Sequence, residues 1–399
     1  YILPESATVN MDNFCWEKVH FLTTAAIICE YNPLHLGHAL QLQQVRAQLG
    51  DDGAIVCLMS GNYVQRGEPA VFDKFTRARA ALMCGADVVL ELPLTCAIRS
   101  AEGFAFGAVE ILHRLGVVDR LYFGCECGDL APLAAIARCL QGPDFSPTLQ
   151  AHLKTGCSFA AARQQAVTEL GCQGSLLRQP NNTLGVEYLK ALLRLESPIN
   201  PCGLPRDLSL KSASQLRADL DNPSWRKHVP SALLPLYDSV PKYRFVWGER
   251  AVLARLRSLS EQEFEMLPYG TEGLWRKFLV ACRTQPDCEH ILSATRSKRY
   301  PRTRLQRMLL CAYLGIDCAT LEAAPPYVRL LGFTSRGRQV LRQAKKLGTL
   351  VWINAGAQPP DRDYGRLEQR AADLYTLFSA PTHSTACGTE QQGRISILK

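Results

Sequence analysis

The chain holds 399 residues, 47% of them hydrophobic, which supplies substantial cores and, at roughly 150 residues per domain, suggests two or three domains. No apolar run reaches the roughly 18 residues of a membrane span. The first twenty residues lack the apolar core of a secretory signal, so a cytoplasmic protein without membrane contact is expected. Lys and Arg number 45 against 37 Asp and Glu, a net charge of +8, which permits a polyanionic partner such as RNA without requiring one.

The 16 cysteines are scattered. Cys125 and Cys127 are the closest two, and no second close pair completes a tetrahedral zinc site. Reduced, mostly buried thiols are expected, with no metal site made of protein ligands.

Residues 1–22 show no sustained period and read as a loose extension. Apolar runs then alternate with helical patterns. Residues 25–31 read as a strand stopped by Asn32-Pro33, because proline has no N–H to give a sheet. Gly37 permits a sharp turn, and a helical pattern follows through Leu40, Leu42 and Val45. Residues 54–59, 88–92 and 121–123 read as further strands, ended at Ser60-Gly61-Asn62, Pro93 and Gly124. Between the last two, Phe104, Ala108, Ile111, Leu112 and Leu115 fall at helical spacing. Short apolar strands separated by helices indicate a parallel sheet covered on both faces. Ligands of such sheets bind beyond the carboxyl ends of the strands. The polar segments 32–38, 60–68 and 124–126 all fall there, so three loops are expected to converge on one crevice.

Residues 129–171 read as helical. Asn182 or Thr183 is expected to cap a helix whose Val186, Leu189, Leu192 and Leu193 face inward. Pro198, Pro201 and Pro205 predict little regular structure over residues 197–207, and Ser212 opens a short helix. From residues 230–241 onward the chain reads as helical and poor in strands. Leu305, Met308, Leu309, Ala312 and Tyr313 form an apolar stripe. Residues 328–347 are basic, with Arg329, Arg336, Arg338, Arg342, Lys345 and Lys346. From Ser379 the chain turns polar and is expected to fray.

His35 and His38 sit three residues apart in a loop facing the start of a helix. The first N–H groups of a helix are unpaired and its dipole is positive there, so anions collect at that end. Two imidazoles beside those groups stabilise charge on a phosphate under attack. On the residues alone, a capped turn fits the spacing as well as a phosphate site does.

His35-Leu36-Gly37-His38 after a buried strand resembles the His-x-Gly-His signature of the nucleotidyltransferase superfamily. The wider string Glu30-Tyr31-Asn32-Pro33-Leu34-His35-Leu36-Gly37-His38 is similar to the opening of one family, bacterial tRNA(Met) cytidine acetate ligase. Further matching blocks are Met59-Ser60-Gly61-Asn62, Gln65-Arg66-Gly67-Glu68-Pro69-Ala70, Glu91-Leu92-Pro93, Phe123-Gly124-Cys125-Glu126 and Pro180-Asn181-Asn182-Thr183-Leu184-Gly185. Ser212-Ala213-Ser214-Gln215-Leu216-Arg217 and Lys298-Arg299-Tyr300-Pro301-Arg302-Thr303-Arg304 continue them in the family's order, over roughly residues 23–375.

The resemblance implies an α/β fold: a Rossmann-like nucleotidyltransferase domain with a parallel sheet that binds ATP (23–225). A mainly helical, basic, tRNA-binding domain (226–378) and a polar tail (379–399) follow. It implies an ATP-dependent ligase. Acetate attacks the α-phosphate, pyrophosphate leaves, and acetyl-adenylate acetylates the exocyclic amine of the wobble cytidine of elongator tRNA(Met). Magnesium arrives on ATP. His35 and His38 are assigned to catalysis. Ile28, Cys29, Glu30, Tyr31, Asn32, Pro33, Leu34, His35, Leu36, Gly37, His38, Ala39, Leu40 and Gln41 surround the nucleotide. Gly124 packs against adenine or ribose, and Asn181 or Asn182 contacts the nucleotide, with Asn181 favoured. Arg217 holds phosphate oxygens in two-point geometry. Cys125 stands where many relatives have serine, which puts a side-chain hydrogen bond there in doubt. Lys298, Arg299, Arg302, Arg304 and Arg307, with Tyr300 among them, are expected to meet an RNA backbone. Two alternatives stay open: a small-molecule adenylyltransferase of the same fold, and a non-catalytic RNA-binding protein with a relict nucleotide site. The oligomeric state is not legible.

Overall fold

The computed structural model describes residues 22–207 and 209–398. The extension expected over residues 1–22 lies, apart from Leu22, outside the described residues. In chain order the strands are β1 (Thr23–Cys29), β2 (Gly53–Ser60), β3 (Tyr63–Val64), β4 (Glu68–Pro69), β5 (Val88–Leu92), β6 (Arg120–Cys125), β7 (Asn200–Pro205), β8 (Val328–Thr334), β9 (Trp352–Asn354) and β10 (Ser396–Leu398). β3 and β4 pair as a short hairpin. The others form one sheet in the order β10–β8–β5–β2–β1–β6–β7, with β9 alongside β8. Neighbours are parallel except β5 with β8.

Every residue of β2 is buried, as a central parallel strand covered on both faces requires. One face is covered by the helices Ala101–Leu115, Pro180–Arg194 and Ser335–Leu347. Phe104, Ala108, Ile111, Leu112 and Leu115 all point into that core, as their spacing predicts. The other face is covered by α1 (Leu36–Leu49), α2 (Lys74–Met83) and side chains from residues 216–237.

A second core joins the helices Phe245–Ser258, Leu274–Thr284, Arg302–Leu314 and Arg362–Thr376. The stripe Leu305, Met308, Leu309, Ala312 and Tyr313 is buried in it. Tyr63 and Ile98 of the first part enter this core too, and the Tyr63 hydroxyl donates to the Ala371 carbonyl at 3.0 Å. The α/β part and the helical part therefore share side chains.

Four local expectations need correction. Residues 197–207 contain β7, which pairs with β6; it is an edge strand, so Pro201 and Pro205 need no partner on the open side. The region beyond residue 226 supplies β8, β9 and β10 to the sheet. β8 escaped notice because Arg329 interrupts its apolar run, yet Arg329 is only 2% exposed and pairs with Glu368 at 2.7 Å. The polar tail is not frayed: Glu390 on the short helix Thr389–Gln392 is buried between Lys74 at 2.7 Å and Arg329 at 2.6 Å. The helix Pro180–Arg194 begins before Asn182, with Gln179 at its cap and Pro180 in its first turn, where a missing N–H costs nothing. Among the described residues no helix is long and apolar enough to cross a membrane.

Candidate active site

Because β1, β2 and β6 are parallel neighbours, their carboxyl ends lie at one edge of the sheet. Beyond β1 the chain turns at Tyr31, whose φ is 46°, and at a cis Asn32–Pro33 peptide. His35 then caps α1. Its Nδ1 accepts the Gly37 N–H at 3.0 Å, the task a serine or aspartate usually performs at a helix start. The His35 and His38 rings lie 3.8 Å apart, centroid to centroid. A Cβ on Gly37 would sit 2.9 Å from Cε1 of His35. Gly37 is thus needed first to leave room for the His35 ring.

Both imidazoles are neutral at pH 7. Burial, and then the neighbouring Arg206 and His228, bring His35 down to about 4. Burial, His35 and Arg206 hold His38 well below the usual histidine value, against the opposing Pro33 carbonyl. Since Nδ1 of His35 accepts a hydrogen bond, its proton sits on Nε2. The ring is a neutral donor held by its cap and not a cation.

Three buried polar atoms have no hydrogen-bond partner among the described residues around this strand end: Nδ1 of His38, Nδ2 of Asn32 and Oγ of Ser60. Leaving such a group unpaired costs about 1–3 kcal/mol, so each lacks the partner that burial usually brings.

Two arginines fix the loop. Arg77 on α2 is fully buried and donates to the carbonyls of Glu30 at 2.7 Å, Ser60 at 3.0 Å and Phe72 at 2.8 Å, and also to that of Gly61. It ties the end of β1 to the end of β2. Beside it the Glu30 carboxylate accepts the Gln65 N–H at 2.9 Å, and burial raises its pKa. Arg217 reaches in from the helix Ala213–Ala218, which Ser212 and Gln215 cap reciprocally. It donates to the Asn32 carbonyl at 2.9 Å and to the Ser214 hydroxyl at 3.2 Å. Arg217 thus touches the loop that carries the two histidines.

Gly124 lies near the end of β6, and a Cβ there would meet no atom within 4 Å. Next to it, Glu126 anchors the helix start. Its backbone N–H donates to Oδ1 of Asn182 at 2.9 Å, and its carboxylate accepts the Asn182 N–H at 2.9 Å and Nδ2 of Asn181 at 2.8 Å. Asn182 is fully buried, and its own Nδ2 is spent on Gln179 at 2.7 Å. It is a scaffold residue. Asn181 is half-buried, and one of its amide groups is uncommitted. The Cys125 thiol turns to the Cys127 carbonyl at 2.7 Å.

The basic stretch near residue 300 is not one open face. Arg299 pairs with Glu272, Arg302 pairs with Glu289, and Arg304 donates to the Tyr269 carbonyl at 2.8 Å. Arg307 is buried with its guanidinium over the Tyr269 ring, and a Cβ added to Gly67 would lie 2.7 Å from the Arg307 backbone nitrogen. Lys298 is exposed. The stretch does abut the loop after β2, since Gln306 donates to Glu68 at 2.9 Å.

Sequence reasoning missed Arg77, Arg206 and Glu126. Arg206 directly follows β7, so recognising that strand would have placed it at the same edge as the other loops. Arg77 gave no signal of its own, being one of three cations on α2 with Lys74 and Arg79.

A parallel sheet with a His-x-Gly-His loop capping the first helix defines a nucleotidyltransferase, and the chain matches the family model described as HIGH Nucleotidyl Transferase over residues 22–390. A tRNA(Met) cytidine acetate ligase of Acetivibrio thermocellus is 34% identical over 390 residues, covering 88% of this chain and 94% of that one. One from Caldanaerobacter subterraneus is 35% identical over 378 residues, with the same coverage of 88% and 94%. The crystal structure of Thermotoga maritima TmcAL bound with alpha-thio ATP superposes with a TM-score of 0.87 at 29% identity, covering 94% of this chain and 100% of that one. The chain belongs to the tRNA(Met) cytidine acetate ligase family.

Proposed function

We propose that this protein is an ATP-dependent ligase that acetylates the wobble cytidine of elongator tRNA(Met). An acetate oxygen attacks the α-phosphorus of ATP, the bond to the β-phosphate oxygen breaks, and pyrophosphate leaves. The exocyclic amine of the cytidine then attacks the acetyl carbonyl, loses a proton, and displaces AMP. Both steps depend on positioning and charge stabilisation, so no protein nucleophile is required.

The observation that carries the reading is that Arg217 holds the loop bearing His35 and His38, through the Asn32 carbonyl, at the carboxyl edge of the parallel strands. Nε2–H of His35 and the Arg217 fork donate to phosphate oxygens as charge builds on them. The uncommitted groups of Asn32, His38 and Ser60 accept or donate to the same ligand. The open space at Gly124 and the half-buried Asn181 take the adenosine end, while the rest of residues 28–41 shape the pocket. Magnesium bridges phosphate oxygens and is carried by ATP and water. Residues 23–225 serve the nucleotide and 226–378 the tRNA, with Lys298, Arg299 and Arg302 as the exposed RNA contacts of their stretch. The reaction takes place in the cytoplasm.

The test is mass spectrometry of tRNA after incubation with ATP and isotopically labelled acetate. Labelled acetylcytidine confined to one tRNA is expected. Pyrophosphate release that ignores acetate, with no label in RNA, would instead indicate a small-molecule adenylyltransferase.

A further inference from the structure

The helix Ser335–Leu347 follows β8 and turns Gly337, Val340 and Ala344 onto the sheet. Contact is close: a Cβ on Gly337 would sit 1.9 Å from the Asp87 carbonyl oxygen. On the other side Arg338, Arg342, Lys345 and Lys346 are all exposed. Residues 338, 342 and 345 follow i, i+4, i+7 and so form one stripe, with Lys346 flanking it.

This stripe is not neutralised from within. Among the described residues, none of these four cations is ion-paired to a carboxylate; on this helix only Arg336 approaches one, 3.8 Å from Asp87. No Asp or Glu occurs between Glu322 and Asp361. Arg338 and Arg342 repel each other at their i, i+4 spacing. The contrast with the stretch near residue 300 is direct, because there Arg299 and Arg302 each hold a glutamate. The exposed stripe carries no aromatic ring on which a base would stack. Among the described residues, the one ring that a cation of this helix covers is Phe333, beneath Arg338.

We propose that the Arg338–Arg342–Lys345 face, with Lys346, binds the phosphate backbone of the tRNA substrate and positions it without reading its sequence. The proposal rests on the tRNA reading given under Proposed function. The helix packs in the core on one face of the sheet, and α1 with its histidine cap packs on the other. The contact is therefore separate from the ATP loop, and a substrate as large as a tRNA reaches both.

The experiment measures binding of tRNA(Met) to the full-length protein by fluorescence anisotropy across 50–200 mM salt, with R338Q/R342Q/K345Q and the single variant R342Q. The triple variant is expected to lose at least tenfold in affinity at low salt. Its slope of log affinity against log salt should fall by about 2–3, and that of R342Q by about 1, because each lost phosphate contact removes roughly 0.7–0.9. The loss should be equal for a tRNA that is not a substrate, and ATP affinity should not change. If the wild type binds tRNA and the triple variant matches it in affinity and slope, this face is not the contact. If the face binds anionic phosphatidylserine vesicles and the variant loses only that, the partner is a membrane surface and the proposal falls. If the wild type binds no tRNA at any salt, the tRNA reading itself fails.

Discussion

Arg217 donates to the backbone carbonyl of Asn32 across 185 positions of sequence, three residues before the histidine that caps α1. One of its two outer nitrogens is thereby fixed, and the other faces Ser214 on its own helix. Replacing Arg217 with alanine removes both a loop tether and a charged fork. ATP-dependent pyrophosphate release should fall by about 10²-fold or more, the scale of losing one preorganised donor. R217K should rescue little, because an ammonium is a point charge without the planar fork. Steady-state kinetics of both variants check this.

Gly37→Ala separates fold from chemistry. The clash falls on Cε1 of His35, the outer end of a side chain that can swing away. Thermal unfolding should shift by only a few degrees, while the displaced ring lowers kcat by more than tenfold, since misplacing a catalytic group by about 1 Å costs up to 10²-fold.

The two depressed histidines make stability pH-dependent. An unfolded histidine titrates near 6.5, whereas His35 in the folded chain titrates at about 4 and His38 is also depressed. Between those values the unfolded state binds more protons, so stability is full above about pH 6.5 and falls as pH drops toward 4. Denaturation midpoints across pH 7.5–4.5 should show this decline, and H35Q/H38Q should flatten it.

Asn181 and Asn182 should behave differently although they are adjacent. N182A removes a fully buried amide and leaves the half-buried Glu126 N–H without its acceptor, and should destabilise the fold by about 1–3 kcal/mol. N181A should leave the unfolding midpoint nearly unchanged and raise the KM for ATP. Chemical denaturation and ATP kinetics on both variants decide it.

The tail carries weight through one carboxylate. Lys74 lies among Glu91, Glu390 and, further off, Glu368, and burial has raised the pKa of Glu91 despite Lys74. K74M strands Glu91, while Glu368 and Glu390 keep Arg329, and should cost about 3–5 kcal/mol, the usual result of breaking a buried pair from one side. E390Q keeps the shape and should cost less. Urea unfolding of both ranks them.

Half of the sheet was legible in sequence because β1, β2, β5 and β6 are short, largely apolar runs bounded by proline, glycine and asparagine. The His35–His38 loop was legible for the same reason. What escaped was set by long-range partners. Pro201 and Pro205 read as breakers until an open edge excuses them, and Arg329 reads as solvated until Glu368 and Glu390 neutralise it. Arg299 and Arg302 read as free cations because Glu272 and Glu289 are 27 and 13 positions away.

β5 has β8 as its neighbour on one side, and β8 is translated more than 200 residues later, a gap that follows from residues 92 and 328. While the ribosome is still making the helical region, a nascent chain exposes the bare flank of β5, apolar but for Glu91. Such an edge is a template for pairing with other chains. The protein is therefore most vulnerable to aggregation during its own synthesis, until residues 328–334 emerge and close the sheet.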